Sequence, residues 1–214
     1  MPRSGWSRGI ITGGALAVAM LAAVLGGRTP LLRTAGWALV IADPVKPVDI
    51  IVIAADANGE GVLEAADLVQ AGVATRVALF ADPPDAVDQE LLRRGVAYED
   101  RAAVSTRQLR ALGITVIEQI PRASGTEAEA RVLRGWCERQ RISSLIFVTT
   151  RDHSRRVRRV LQRFMAGYPT KITVHPSRYS AFDPDRWWQS RDGLRTGIIE
   201  SQKLLVDIVS HPGL

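Results

Sequence analysis

The segment from Leu145 to Leu161 narrows the choice of fold more than any other part of this chain. It opens with Leu145, Ile146, Phe147 and Val148, a short apolar run rich in β-branched and aromatic residues, the pattern of a buried strand. It closes into an amphipathic helix, with Val157, Val160, Leu161 and Phe164 at i, i+3, i+4 and i+7. Thr149, Thr150, Arg151, Asp152 and His153 lie between the two. A strand that passes into a helix through a short polar turn is the usual site-bearing junction of an α/β sheet. Free N–H groups and the positive end of the helix dipole point there at whatever lies beyond the strand tip.

Spacing assigns roles within that junction. His153 precedes Val157 by four residues, so it continues the buried stripe to the helix start and faces the crevice. Arg156 follows His153 by three residues on a neighbouring line of the same face. The pair stands where the dipole favours an anion, and imidazole chemistry makes His153 a candidate general acid or base. Arg155, Arg158, Arg159 and Arg163 turn progressively away from the stripe and read as a solvated face.

The rest of the chain repeats the strand–helix alternation. Strands are expected at Val48–Ala55, Thr75–Ala81, Ile114–Ile120, Ser144–Val148 and Lys171–Val174. Helices are expected at Gly61–Ala71, Asp85–Arg94, Arg101–Leu112 and Glu127–Arg139, then from the junction to about Met165, and last from near Arg195 to Val209. Gly72, Gly95 and Gly113 act as stops. This order predicts an α/β, Rossmann-like three-layer sandwich with a mainly parallel sheet. No repeat, low-complexity tract or second globular domain is evident.

Ahead of that domain, Gly9–Gly27 is an uncharged run of 19 residues. As a helix it would span about 28 Å, close to the hydrocarbon thickness of a bilayer. An uncleaved N-terminal transmembrane helix is expected rather than a signal peptide, whose apolar core is shorter, about 7–15 residues. The anchor and its connector would occupy 1–35, and the Rossmann-like domain 36–214. Trp6 sits where an interfacial aromatic belongs, while Arg3, Arg8, Arg28 and Arg33 flank the run on both sides and leave its direction open.

Charge and cysteine content exclude other classes. The formal charge is +6, yet residues 1–47 hold five of the basic residues against Asp43 alone, and the remainder is near balance with 23 basic and 21 acidic residues. A general nucleic-acid binder needs a broad basic surface, so no nucleic-acid partner is expected. The single cysteine, Cys137, excludes an internal disulfide and a cysteine zinc site, and no metal site is expected. Beside Trp136 in a helix it reads as a buried thiol.

Three further constellations fall at strand tips. Asp56-Ala-Asn58-Gly59-Glu60-Gly61 follows the first strand, and Asn58-Gly59 suits a tight turn. It is not the Gly-x-Gly-x-x-Gly fingerprint of dinucleotide sites. Asp82 ends the second strand, where it could meet a ribose or a neighbouring arginine. Ser124-Gly-Thr126-Glu-Ala-Glu129 opens the helix after the third strand, and Thr126 and Glu129 have the spacing of a capping box. Trp187 and Trp188 could close over the crevice or pack against the sheet edge. No nucleophile elbow or P-loop nominates a covalent mechanism.

At these residues the chain resembles the YdcF/ElyC/SanA family, a domain of unknown function. The resemblance runs through Ala35-Gly-Trp-Ala-Leu-Val-Ile-Ala-Asp43-Pro44-Val-Lys-Pro47-Val-Asp49-Ile-Ile-Val-Ile53, Ser124-Gly-Thr126-Glu-Ala-Glu129, Thr149-Thr150-Arg-Asp-His153-Ser-Arg-Arg156 and Glu200-Ser-Gln-Lys203. It covers roughly residues 36–209. It implies a membrane-anchored, Rossmann-like protein of cell-wall and peptidoglycan biogenesis, held in a bacterial inner (plasma) membrane with its domain facing the periplasm. The chain departs from the family pattern at Ala54-Ala55, where relatives carry a Gly-Gly pair, at Val62, where they carry an arginine, and at Phe80-Ala81-Asp82. The expected ligand is a small anion, phosphorylated or nucleotide-like, held by Asp56, Asn58, Asp82, Thr126, Glu129, Thr149, Thr150, His153 and Arg156. The alternatives are a non-catalytic factor that meets other envelope proteins through an altered pocket, and an S-adenosylmethionine-type binder like one reported family member.

Overall fold

The computed structural model describes residues 26–213. The predicted membrane helix Gly9–Gly27 therefore lies outside the described residues in all but its last two positions. Among the described residues no helix is long and apolar enough to cross a membrane.

Five strands form one all-parallel sheet in the order β3-β2-β1-β4-β5. They are β1 (Ile50–Ile53), β2 (Arg76–Phe80), β3 (Val116–Ile120), β4 (Ser144–Thr149) and β5 (Lys171–Pro176). Every residue of β1 is buried, and β4 is buried at all but Ser144, as expected of central strands covered on both faces. The edge strands β3 and β5 are partly exposed. Register is set by parallel pairs such as Ile51 with Val77 and Ile51 with Ile146. This is an α/β architecture consistent with a Rossmann-like fold.

The helices are α1 (residues 26–37), α2 (Asn58–Gln70), α3 (Ala86–Arg93), α4 (Arg101–Ala111), α5 (Thr126–Gln140), α6 (Ser154–Phe164) and α7 (Arg191–Ser210), with a short 3-10 turn at Trp187–Gln189. α2 packs on α4, while α5 packs on α6 and α6 on α7. The expected α6 stripe is buried at Val157, Val160 and Leu161. Cys137 is fully buried, and burial raises its thiol pKa to about 12, so it behaves as an apolar filler. Gly61 is needed for close packing, because a Cβ there would come within 2.7 Å of Ile53 Cγ2.

The N-terminal and C-terminal segments depart most from expectation. Residues 26–37, expected to take in the end of the apolar run, the connector and the first residues of the domain, are one helix, so the predicted boundary at 35/36 falls inside it. Trp187 does not close the crevice. It joins a second small core of Leu39, Phe182 and Leu204, and its Nε1 donates to Leu32 O at 2.7 Å. The last helix starts at Arg191, four residues before the expected Arg195, because Ser190 caps it by accepting from Gly193 N.

Candidate functional site

Strand order reverses between β1 and β4, and a parallel sheet opens a crevice beyond its C-terminal strand ends at such a switch point. A cavity of about 550 Å³ lies there. The tips of β1 and β2 supply Asp56, Asn58 and Asp82, and the start of α5 supplies Thr126 and Glu129. His153, Arg156 and Lys203 close it from α6 and α7, and Arg101 and Arg122 from the far side.

His153 is the pivot. It is buried, stands immediately before α6, and makes no cap with its side chain. Its Nδ1 lies 3.0 Å from Glu200 Oε2, and its Nε2 lies 3.1 Å from Thr126 Oγ1 and 3.6 Å from Asp56 Oδ2. Nε2 is the ring nitrogen that faces Thr126 and Asp56 at the cavity. Arg156 Nε donates to Glu200 Oε2 at 3.1 Å and Nη1 to Thr126 Oγ1 at 3.1 Å, while Nη2 sits 2.7 Å from His153 Nδ1. Lys203 Nζ donates to Glu200 Oε1 at 2.7 Å. Burial alone would raise the pKa of Glu200. Hydrogen bonds from His153 and Lys203 and the positive charges of His153 and Arg156 override it and hold the carboxyl at about 2. Glu200 thus remains charged and fixes His153, Arg156 and Lys203 beside one cavity.

Glu129 behaves oppositely. Burial and the nearby Asp56 charge raise its pKa to about 7, against His153, the Ala55 N–H and Arg156. Near neutral pH it alternates between a proton donor and a charged acceptor.

Several predictions at this junction are corrected. Thr126 does not cap α5: Gly125 holds the cap position, with φ 88° and ψ 157°, and no side chain caps the helix. That backbone region is essentially glycine's own, so the turn turns Thr126 inward to His153 instead of back onto its helix. The start of α5 therefore opens on the cavity uncapped, as does that of α2 after Ala57. The start of α6, expected to carry the anion, is instead closed by the segment after α1. Leu39 O accepts from Arg155 N at 3.1 Å, and Ser154 Oγ accepts from Ile41 N at 2.9 Å. Thr149 and Thr150 do not line the cavity; Thr149 is fully buried, with its hydroxyl unpartnered among the described residues. Asn58 opens α2 with φ 39°, its amide bonded to Asp56 O at 3.0 Å.

The four outer arginines are not a solvated face either. Arg155 Nη2 donates to Val40 O, Arg158 pairs with Asp43, and Arg159 and Arg163 both bind Asp207. Three cavity residues, Lys203, Arg101 and Arg122, and the buried Glu200 behind them escaped the sequence reading as site residues. Glu200 and Lys203 appeared only within the family resemblance. Arg122 could have been found from its place two residues beyond β3, at the same sheet edge as Asp82. Among the described residues, no cluster of three or more His, Cys, Asp or Glu side chains is arranged to hold a metal.

No family model, curated protein or solved structure matches this chain.

Proposed function

We propose that the chain is a membrane-anchored protein of bacterial envelope biogenesis that binds an anionic, phosphorylated or nucleotide-like ligand in the switch-point crevice. Its domain would face the periplasm from the inner membrane. One observation carries the binding reading: Arg156, Lys203 and His153 are gathered by the buried Glu200 at the mouth of the uncapped α5 N-terminus. Arginine and lysine charges and free backbone N–H groups are the donors that a phosphate oxygen needs, and fixing them beforehand lowers the entropic cost of binding. Arg101 and Arg122 extend the positive lining across the cavity.

Asp82, at the tip of β2, is where a ribose hydroxyl would be met, which supports the nucleotide-like variant of the ligand. His153 has the arrangement of a general acid or base. Its Nδ1 is held by a carboxylate and its Nε2 is turned to the cavity beside a hydroxyl. Its role is catalytic only if the ligand reacts.

The test is titration calorimetry on the full chain with orthophosphate, sugar phosphates and nucleotides. Arg156→Ala removes a charge-assisted contact and should cost more than about tenfold in affinity for whichever phosphate binds. Arg139→Ala, exposed near the far end of α5, should leave it within about twofold, because exposed charges act weakly through solvent. Equal small losses at both positions would reduce the site to diffuse basic charge. Absence of any phosphate binding would remove the reading.

A further inference from the structure

Arg156 and Lys203 stand between the crevice and a second cavity of about 580 Å³, which they line together with residues of α6 and α7. Its character differs from the first. Val160, Ile199 and Val206 supply hydrocarbon walls, and its acids, Glu127 and Asp207, are already neutralised by Arg163, with Arg159 also on Asp207. Polar head and apolar trough thus meet at the two cations they share.

The surrounding surface is apolar as well. Beyond the trough, α7 exposes Ile198 at 48%, Leu205 at 61% and Val209 at 78%. Past its first turn, which exposes Asp192, its carboxylates Glu200 and Asp207 turn inward, to His153, Arg156 and Lys203 and to Arg159 and Arg163. A helix stretch that points its acids into the protein and its aliphatic side chains outward marks a surface suited to hydrocarbon.

We infer that the ligand is an amphiphile, with a phosphate-type head among His153, Arg156 and Lys203 and an aliphatic chain along Val160, Ile199 and Val206. The inference rests on the anion-binding reading and adds the tail. The occupant follows from continuity: a trough that begins at two phosphate-binding cations and runs on between valine and isoleucine side chains fits a chain covalently attached to that phosphate. A separate apolar partner would have no use for the charged end.

The experiment measures affinity of the full chain for inorganic phosphate, ethyl phosphate, hexyl phosphate and geranyl phosphate, all below micellar concentration. From inorganic to hexyl phosphate the affinity should rise about a hundredfold, the effect of burying three to four methylene groups. Val206→Gln lies on an exposed position and should keep the fold and the inorganic phosphate affinity while flattening the rise. Ile199→Asn should act likewise, and Arg156→Ala should weaken the whole series. A lysophosphatidate of matched chain length separates an acyl from a prenyl source, and a gain with either supports the trough. Equal affinity across the series, with phosphate still bound, overturns the tail and leaves the anion site standing. An undiminished rise in Val206→Gln does the same, since the gain would then be nonspecific partition. If no phosphate binds, the anion reading itself fails and takes the tail with it.

Discussion

At Glu129 one carboxyl controls both stability and the charge of the cavity. Its pKa is raised from 4.5 to about 7, by burial first and by Asp56 next, with His153, the Ala55 N–H and Arg156 opposing. The folded protein therefore keeps a proton that the unfolded chain loses above pH 4.5. Its contribution is full below that pH, falls as pH rises to about 7, and is level beyond. The expected loss from pH 4 to pH 8 is roughly 2–4 kcal/mol. Glu129→Gln keeps the shape without the titration, so denaturant midpoints at pH 5 and pH 8 should show the variant gaining on the wild type at the higher pH. A pH-independent difference would mean that Glu129 is ionised in the folded state throughout. Glu200 has the opposite sign. Its depressed pKa contributes stability above pH 4.5 that is lost as pH falls toward 2. Anion affinity should also weaken above pH 7, where Glu129 adds a negative charge to the cavity, and phosphate titrations at pH 6 and pH 8 would measure it.

The same logic at the scale of elements concerns how α7 is held on α6. Asp207 accepts from Arg159 Nε at 2.7 Å and Arg163 Nη1 at 2.9 Å. Burial opposes its ionisation, but these two hydrogen bonds and charges win and depress its pKa. Asp207→Asn should cost roughly 1–3 kcal/mol at pH 7 by removing the carboxylate that two partly buried guanidinium groups share, Arg163 keeping only Glu127. The difference from wild type should shrink as pH falls through the depressed pKa, since protonated Asp207 is then equally neutral. Persistence of the full difference in acid would assign the cost to shape instead. Strands and helices were legible because β1 and β4 are continuous apolar runs and α6 keeps a strict 3.6-residue stripe. What one helix does to another was not legible. The outer face of α6 looked solvated because its partners, Asp43 and Asp207, are 115 and 48 residues away from Arg158 and Arg159. Thr126 and Glu129 fitted a capping box by spacing, but positive φ at Gly125 sends the hydroxyl elsewhere. Of the site, His153, Arg156 and the strand-tip acids could be read directly. Glu200, which organises them, lies 47 residues from His153 and carries no local signal of that pairing.

For the whole molecule, the proposal of an anchor in the first 27 residues makes a topological prediction. A reporter fused after Leu214 should be active only if it works in the periplasm, and the chain should stay with membranes after alkaline extraction. Cytoplasmic reporter activity, or a mature chain starting near Gly27, would refute the anchor. The order of the sheet also governs how this chain reaches its native state. β1 is the central strand, yet one of its two neighbours is β4, with Ile50 set against Leu145. At ribosomal rates of about 5–20 residues per second, roughly 5–20 s separate synthesis of the two. Through that interval Ile50-Ile51-Val52-Ile53 has one unsatisfied edge, and the contact that covers it is the longest-range strand pairing in the sheet. High contact order slows folding, and an exposed aliphatic edge is the feature that holdase chaperones bind and that aggregation recruits. Expression of this protein should therefore depend more on what shields its nascent first strand than on the stability of the finished sheet.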